Sequence, residues 1–166
     1  MIDFKIDRMK ESDWEQVRQI YLEGIVTGEA TFETDVPSWE KWDAAHLPSC
    51  RLVARSGDVV KGWAALSPVS KRAVYAGVAE VSVYIGQRYR GAGVGRALLM
   101  ALVDESEKNG FWTLQASIFP ENSASIELHK RCGFREVGRR EHIGKMGTWW
   151  RDTILLERRS KLAGVD

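Results

Sequence analysis

The sequence predicts an α/β fold built on one mixed sheet that is antiparallel in its N-terminal part. Three observations carry this. Short runs of alternating apolar and polar residues recur along the chain, the two-residue period of strands. Two of these runs flank Ser56-Gly57-Asp58, a tight-turn tripeptide, and pair as a hairpin. From Val78 onward, strand-like runs alternate with segments of helical period, the order of an α/β sheet.

Element by element, Ile2, Phe4 and Ile6 alternate with charged residues as a first strand. Ser12-Asp13-Trp14-Glu15 has the form of a capping box, in which Ser12 caps the helix and Glu15 reaches back. Trp14, Val17, Ile20 and Tyr21 then share one helical face, and Gly24 and Gly28 loosen the end of that helix. Gly28 to Glu33 forms an ordered loop, and Ser38 caps a short helix carrying Trp39 and Trp42, closed before Pro48. Arg51–Arg55 and Val59–Leu66 are the hairpin strands. Along Val78–Ile85, Val81, Val83 and Ile85 point one way and Glu80, Ser82 and Tyr84 the other. A helix runs from about Val94 to Lys108, with Val94, Leu98, Ala101 and Leu102 on one face, and Gly110 stops it. Thr113–Ile118 is a strand, Asn122–Arg131 a helix ended by Gly133, and Phe134–Arg140 and Asp152–Glu157 the last strands. No repeat or linker interrupts this order, so residues 1–166 are expected to form one domain.

Composition narrows the function classes. Lys plus Arg is 24 against 23 for Asp plus Glu, a net charge of +1. That balance offers no broad cationic surface for nucleic acid or an anionic membrane, so any anion must be held by a local cluster. No run approaches the roughly 20 apolar residues of a membrane span, and the start lacks a signal-peptide core. A cytoplasmic location follows as the expectation. Cys50 and Cys132 are expected to be free thiols, and no His or Cys spacing predicts a metal site.

The most informative feature is the turn Arg90-Gly91-Ala92-Gly93-Val94-Gly95 between a strand and a helix. Glycines let successive backbone N–H groups converge on an anion, and the following helix adds the positive end of its dipole. Arg88, Arg90 and Arg96 surround the turn. Together these groups predict a pyrophosphate site. The dinucleotide fingerprint fails, because Arg96 stands where its third glycine belongs, and no Gly-Lys-Ser/Thr exists for a Walker A loop.

Arg90-x-x-Gly93-x-Gly95, after a strand and opening a helix, resembles the acyl-coenzyme A signature of the GNAT superfamily of N-acetyltransferases. A second motif matches as well: Asn122-x-x-Ser125-x-x-Leu128-His129-Lys130-x-x-Gly133-Phe134. Thr31-Phe32, Tyr75 before Ala79–Tyr84, Leu128-His129 and Gly147-x-Trp149-x-x-Asp152 narrow the likeness to the phosphinothricin and methionine sulfoximine N-acetyltransferase branch. The resemblance implies a splayed central sheet with helices on both faces, and acetyl-CoA as cosubstrate. It implies that backbone groups of Val83, Tyr84 and Ile85 pair with the pantetheine arm, that Gly91, Ala92, Gly93, Val94, Gly95 and Arg96 hold the pyrophosphate, that Asn122 hydrogen-bonds the arm, with Ser125 also on the coenzyme side, and that Arg131 reaches a coenzyme phosphate.

Amine acetylation needs a base, an aligned thioester and a donor for the oxyanion. Glu80 is the candidate base, set against the plainer readings of an exposed strand carboxylate or an ion pair with Arg72. A carboxylate in an apolar strand can carry a raised pKa. His129 stands where many superfamily members have a tyrosine that protonates the leaving thiolate. An imidazole supplies that proton or acts as an alternative base, and a packed helix histidine is the bland reading. The oxyanion donor is expected to be a backbone N–H near Val83. Cys132 is expected to fill space at a helix end, and His46 and His142 to lie on the surface.

Thr31, Phe32, Glu33, Arg72, Tyr75 and Trp149 are the candidates for the acceptor side, Arg72 because a guanidinium holds a carboxylate bidentately. Core or interface packing is the competing reading for Trp149 and Trp150, and loop anchoring for Phe32. Seven tryptophans in 166 residues permit a homodimer interface, and the family is often dimeric. The acceptor is thus expected to be a small amino-acid-like amine. An aminoglycoside, polyamine or protein N-terminus stands as the alternative acceptor, and a non-catalytic acyl-CoA module as the alternative class.

Overall fold

In the computed structural model, which describes residues 3–166, the alternating runs become seven strands. These are β1 (Lys5–Arg8), β2 (Leu52–Ser56), β3 (Val59–Pro68), β4 (Val78–Ile85), β5 (Thr113–Ile118), β6 (Arg135–Met146) and β7 (Trp149–Arg159). The helices are α1 (Trp14–Thr27), α2 (Trp39–Ala45), α3 (Val94–Lys108) and α4 (Ser123–Arg131). The sheet order is β1-β2-β3-β4-β5-β7-β6, with β4 and β5 its one parallel neighbour pair and the rest antiparallel.

Alternation along the strands sorts side chains into two cores, one on each face of the sheet. Ala64, Leu66, Ala79, Val81, Leu114, Ala116, Ile154 and Leu156 meet Leu98, Leu99 and Leu102 of α3. Val53, Val60, Trp63 and Ala65 meet Val17, Ile20 and Ile25 of α1 and Trp42 of α2 on the other face. Helices therefore cover both faces, as the splayed-sheet expectation required.

Several expectations are corrected. The first strand runs Lys5–Arg8 rather than Ile2–Ile6; Phe4 and Ile6 pack against the core, and Ile2 lies outside the described residues. The N-terminal box is built on Asp13, not on Ser12 and Glu15. Asp13 accepts from the Lys10 amide at 2.8 Å and is gripped by Arg55 at 2.7 and 2.9 Å. The partly buried Arg55 of β2 fixes Asp13 through charge-assisted bonds, which are stronger than a neutral serine cap. The last two strands extend well beyond Arg140 and start well before Asp152, joined by a turn in which Gly147 has φ +62°. Ser38 does cap α2, accepting from the Lys41 amide at 3.3 Å.

One feature of the sheet sets the site. β4 pairs with β5 only through Val78↔Thr113, Ala79↔Leu114 and Glu80↔Gln115. Beyond Glu80 the strands diverge, so backbone groups of Val81–Ile85 that point toward β5 have no strand partner. The split opens a wedge at the centre of the molecule.

Candidate functional site

A cavity of ≈ 300 Å³ fills the wedge. Its walls come from β4 (Glu80 to Tyr84), β5 and the residues after it (Ala116 to Phe119), α4 (Asn122, Ser125, His129), the loop Ala30–Glu33 and Thr153 of β7. Glu80 sits at the apex, the last β4 residue paired to β5. Its Oε1 accepts from Gln115 Nε2 at 3.1 Å and from Ser117 Oγ at 3.4 Å. Arg72 is not its partner; that guanidinium stands 5.4 Å from the ring centre of Tyr75 on an exposed turn. The ion-pair reading of Glu80 is thereby set aside.

His129 is buried, and its Nδ1 lies 2.7 Å from the Ser125 carbonyl. A carbonyl only accepts, so Nδ1 carries the proton and Nε2 is the free nitrogen. Burial pushes the ring below the ordinary histidine value, against the opposing pull of the Ser125 hydrogen bond. The neutral ring therefore presents a lone pair, not a proton. His46 is not a surface residue as expected: it is partly buried, stacks 4.1 Å from Trp42 and is likewise pushed down by burial.

These two shifts have a measurable consequence. The unfolded chain binds protons at histidine more readily than the folded one, so their contribution is intact above the ordinary value of 6.5 and is lost as pH falls below it. Each proton taken up on unfolding costs at most about 1.4 kcal/mol per pH unit. The thermal midpoint is expected to drop between pH 7 and 5.5, and His46→Gln to flatten the drop; a midpoint independent of pH over that range overturns this. Carboxylates do not account for it: despite opposing burial, Arg55 holds Asp13, and Arg158 with Ser160 hold Glu107, below the usual carboxylate range.

At the far end of β4 lies the glycine turn. Gly91 and Gly93 adopt φ of +76° and +84°, and space is open within 4 Å of where a Cβ would stand on either. No side chain caps α3. Intrahelical bonding starts with the Ala97 amide on Gly93 O at 3.1 Å, which leaves the amides of Val94, Gly95 and Arg96 free for a ligand. Arg88, Arg90 and Arg96 are exposed around this nest. Glu23 of α1 braces the approach by accepting from the Gln87 amide at 2.7 Å. Free amides, a helix dipole and three guanidinium groups suit a diphosphate, and the unpaired edge of β4 suits an extended amide-bearing arm running toward Glu80.

This pairing of a coenzyme-shaped groove with a carboxylate at its apex agrees with comparison to known proteins. Residues 12–134 match the model of the Acetyltransferase (GNAT) family. The chain belongs to the GNAT family. It is 32% identical over 158 residues to phosphinothricin N-acetyltransferase of Alcaligenes faecalis, covering 90% of this chain and 79% of that one. It is 35% identical over 149 residues to the Streptomyces coelicolor protein of the same name, covering 84% and 87%. Among solved structures, a GNAT superfamily phosphinothricin acetyltransferase from Sinorhizobium meliloti in complex with AcCoA superposes with TM-score 0.86 at 26% identity, over 99% of this chain and 92% of that one. This GNAT protein is an acetyl-CoA-dependent N-acetyltransferase.

Within the GNAT frame, the wedge collects Glu80, Val83, Tyr84, Asn122, Ser125, His129, Thr31 and Phe32. Arg72, Tyr75 and Trp149 stand outside its walls. Trp149 and Trp150 are half exposed on the β6–β7 hairpin, so neither enters the core. Phe32 serves as a loop anchor as well as a wall, edge-on to Phe119 at 4.8 Å. Tyr84 lies on the stretch of β4 that has no β5 partner, and its ring stacks 4.9 Å from both Tyr21 and Trp63. The Asn122 amide donates to Glu29 O at 3.2 Å and its oxygen caps α4, leaving one amide N–H free. Arg131 is exposed at the end of α4. Gln115, Ser117 and Thr153 were not singled out from the sequence; their only signal is an odd-numbered alternation that puts them on the Glu80 face. No helix among the described residues is long and apolar enough to cross a membrane, and no cluster there could hold a metal ion.

Proposed function

We propose that this GNAT enzyme transfers the acetyl group of acetyl-CoA to the amine of a small amino-acid-like acceptor of the methionine sulfoximine, methionine sulfone or phosphinothricin type. The observation that carries the reading is Glu80 at the apex of a split whose other end is an anion-binding turn. Gly91 to Arg96, with Arg88 and Arg90, hold the coenzyme's pyrophosphate. Val83, Tyr84 and Ile85 bind its arm through their backbones, Asn122 and Ser125 flank it, and Arg131 meets a further phosphate.

Glu80 takes the first proton of the acceptor ammonium through a water, held for this by Gln115 and Ser117. The freed amine attacks the thioester carbonyl, and an unpaired β4 amide near Val83 stabilises the oxyanion. The new C–N bond leaves a second proton on nitrogen. His129 Nε2, a lone pair in the neutral ring, takes that proton and passes it to the thiolate as the C–S bond breaks. Protons balance: one goes to Glu80, the other to the released thiol. Arg72 on its exposed turn holds the acceptor's carboxylate or phosphinate.

A second acceptor class has one observation in its favour. The cavity walls carry two carboxylates, Glu33 and Glu80, and no arginine or lysine, which suits an aminoglycoside or polyamine. Thiol release from acetyl-CoA against a panel of amino acid analogues, polyamines and aminoglycosides separates the two. With the amino-acid reading, Arg72→Ala raises KM for acidic acceptors about tenfold, the low end of a charge-assisted bond, and leaves neutral ones alone. Turnover of polyamines alone, or selectivity untouched by Arg72→Ala, overturns it.

A further inference from the structure

Arg151 is the most deeply buried charged residue among those described, at 2% exposed. Alternation along β7 sends Ile154 and Leu156 into the α3-side core and turns Arg151, like Thr153, to the Glu80 face. Its guanidinium joins two segments that are remote in sequence to its own β6–β7 hairpin. Toward the loop after α1, Nη1 donates to the Gly28 carbonyl and Nη2 donates to Glu29 Oε2 at 2.8 Å. Toward the β5–α4 link, Nη2 donates to Glu121 Oε2 at 3.2 Å and the guanidinium carbon lies 3.6 Å from the ring centre of Phe119. Toward the β6–β7 hairpin it meets Met146 Sδ at 3.5 Å and the Trp149 ring at 4.4 Å.

Apart from Phe119, which is itself a wall, the residues it grips are immediate neighbours of the cavity walls. Gly28 ends α1 with φ +71°, and the chain passes through Glu29 directly into Ala30, Thr31, Phe32 and Glu33, all of them walls. Asn122 holds the Glu29 carbonyl from the far side of the wedge, and Phe32 closes on Phe119, which carries the Arg151 guanidinium on its ring face. The position of the loop and the shape of the cavity are therefore one variable. A buried guanidinium is costly unless its donors are satisfied, and removing a partner leaves an uncompensated charge. Here two of the partners come from the loop itself and a third, Glu121, from the β5–α4 link, while Nε has none among the described residues, so the loop and the arginine hold each other in place.

We propose that Arg151 is a positioning residue for the acceptor: it fastens the loop Gly28–Glu33 across the mouth of the wedge and so sets acceptor affinity without touching the acceptor. The proposal rests on the acetyl-transfer reading only in calling that end of the wedge the acceptor end. The hydrogen bonds and ring contacts of Arg151 go to the loop after α1, the β5–α4 link and the β6–β7 hairpin, and none goes to the glycine turn at the other end of β4.

The test uses the full chain with the best acceptor found in the panel. Glu29→Gln keeps Arg151 buried with Glu121 and so preserves the fold. Arg151→Lys keeps the charge and loses the fork. Both are expected to raise acceptor KM about tenfold, as expected for losing a charge-assisted hydrogen bond to a half-exposed carboxylate, with KM for acetyl-CoA within about twofold of wild type. Amide exchange at residues 28–33 is expected to accelerate while that of α3 does not. Wild-type acceptor KM in both variants overturns the proposal, as does a joint shift of both KM values with the melting temperature, which marks a general structural role. A wild-type protein that acetylates no amine defeats the acetyl-transfer reading instead, and exchange at residues 28–33 still decides whether Arg151 holds the loop.

Discussion

Glu80→Gln is expected to lower kcat at pH 7 about a hundredfold, at the lower end of what a positioned general base contributes. The amide is isosteric, so Gln115 and Ser117, which donate to Glu80 Oε1 at 3.1 and 3.4 Å, still have an oxygen to meet. The groove proposed for the coenzyme is built from other atoms, the amides of α3's first turn and the unpaired edge of β4. Calorimetric affinity for acetyl-CoA is therefore expected to stay within about twofold of wild type. Residual turnover is expected to rise with pH, because a free amine at high pH needs no base. Loss of kcat and coenzyme affinity together would place Glu80 in the architecture of the wedge; unchanged kcat at every pH would remove it from the chemistry.

Gly93→Val is expected to weaken acetyl-CoA binding by one to two orders of magnitude, from two separate effects. At φ +84° a β-branched residue is strained by about 1–3 kcal/mol, and relief of that strain rotates the peptide out of the nest. The space a Cβ would enter is open in the chain alone, within 4 Å of that position, and is the approach path of a diphosphate. The strain also lowers the thermal midpoint. Gly93→Ala separates the effects, being less strained than valine but carrying the same Cβ. Wild-type affinity in both variants by calorimetry overturns the assignment of the turn to the coenzyme.

Legibility in the sequence followed the range of the forces involved. β4, α3 and β5 begin and end where their residue patterns said, because strand alternation, a run of helix formers and positive-φ glycines are settled within a few positions. The β6–β7 hairpin is longer than its residue pattern predicts. In its outer half the large apolar residues Ile143, Trp149 and Trp150 are half exposed and do not alternate with polar ones, so it shows no apolar period. The Ser12 cap failed for the opposite reason: the local motif is present, and Arg55, 42 residues on from Asp13, overrides it. In the candidate site, Glu80, His129, Asn122 and the glycine turn are legible in the sequence, whereas Gln115, Ser117 and Thr153 carry no motif.

Residue type and spacing by themselves determined the order of strands and helices, the positive-φ glycine turn before α3 and the carboxylate on the polar face of β4. Only the tertiary structure decided that β4 and β5 part after Glu80, that the ring of His129 gives its proton to a carbonyl, and that Arg151 is sealed against a loop 123 residues away in the chain. The physical reason is that the first set depends on backbone preference and local periodicity, while the second depends on which surfaces are buried together. Burial turns an arginine that would be solvated in an isolated strand into a clamp, because a desolvated guanidinium must find its partners wherever the fold brings them.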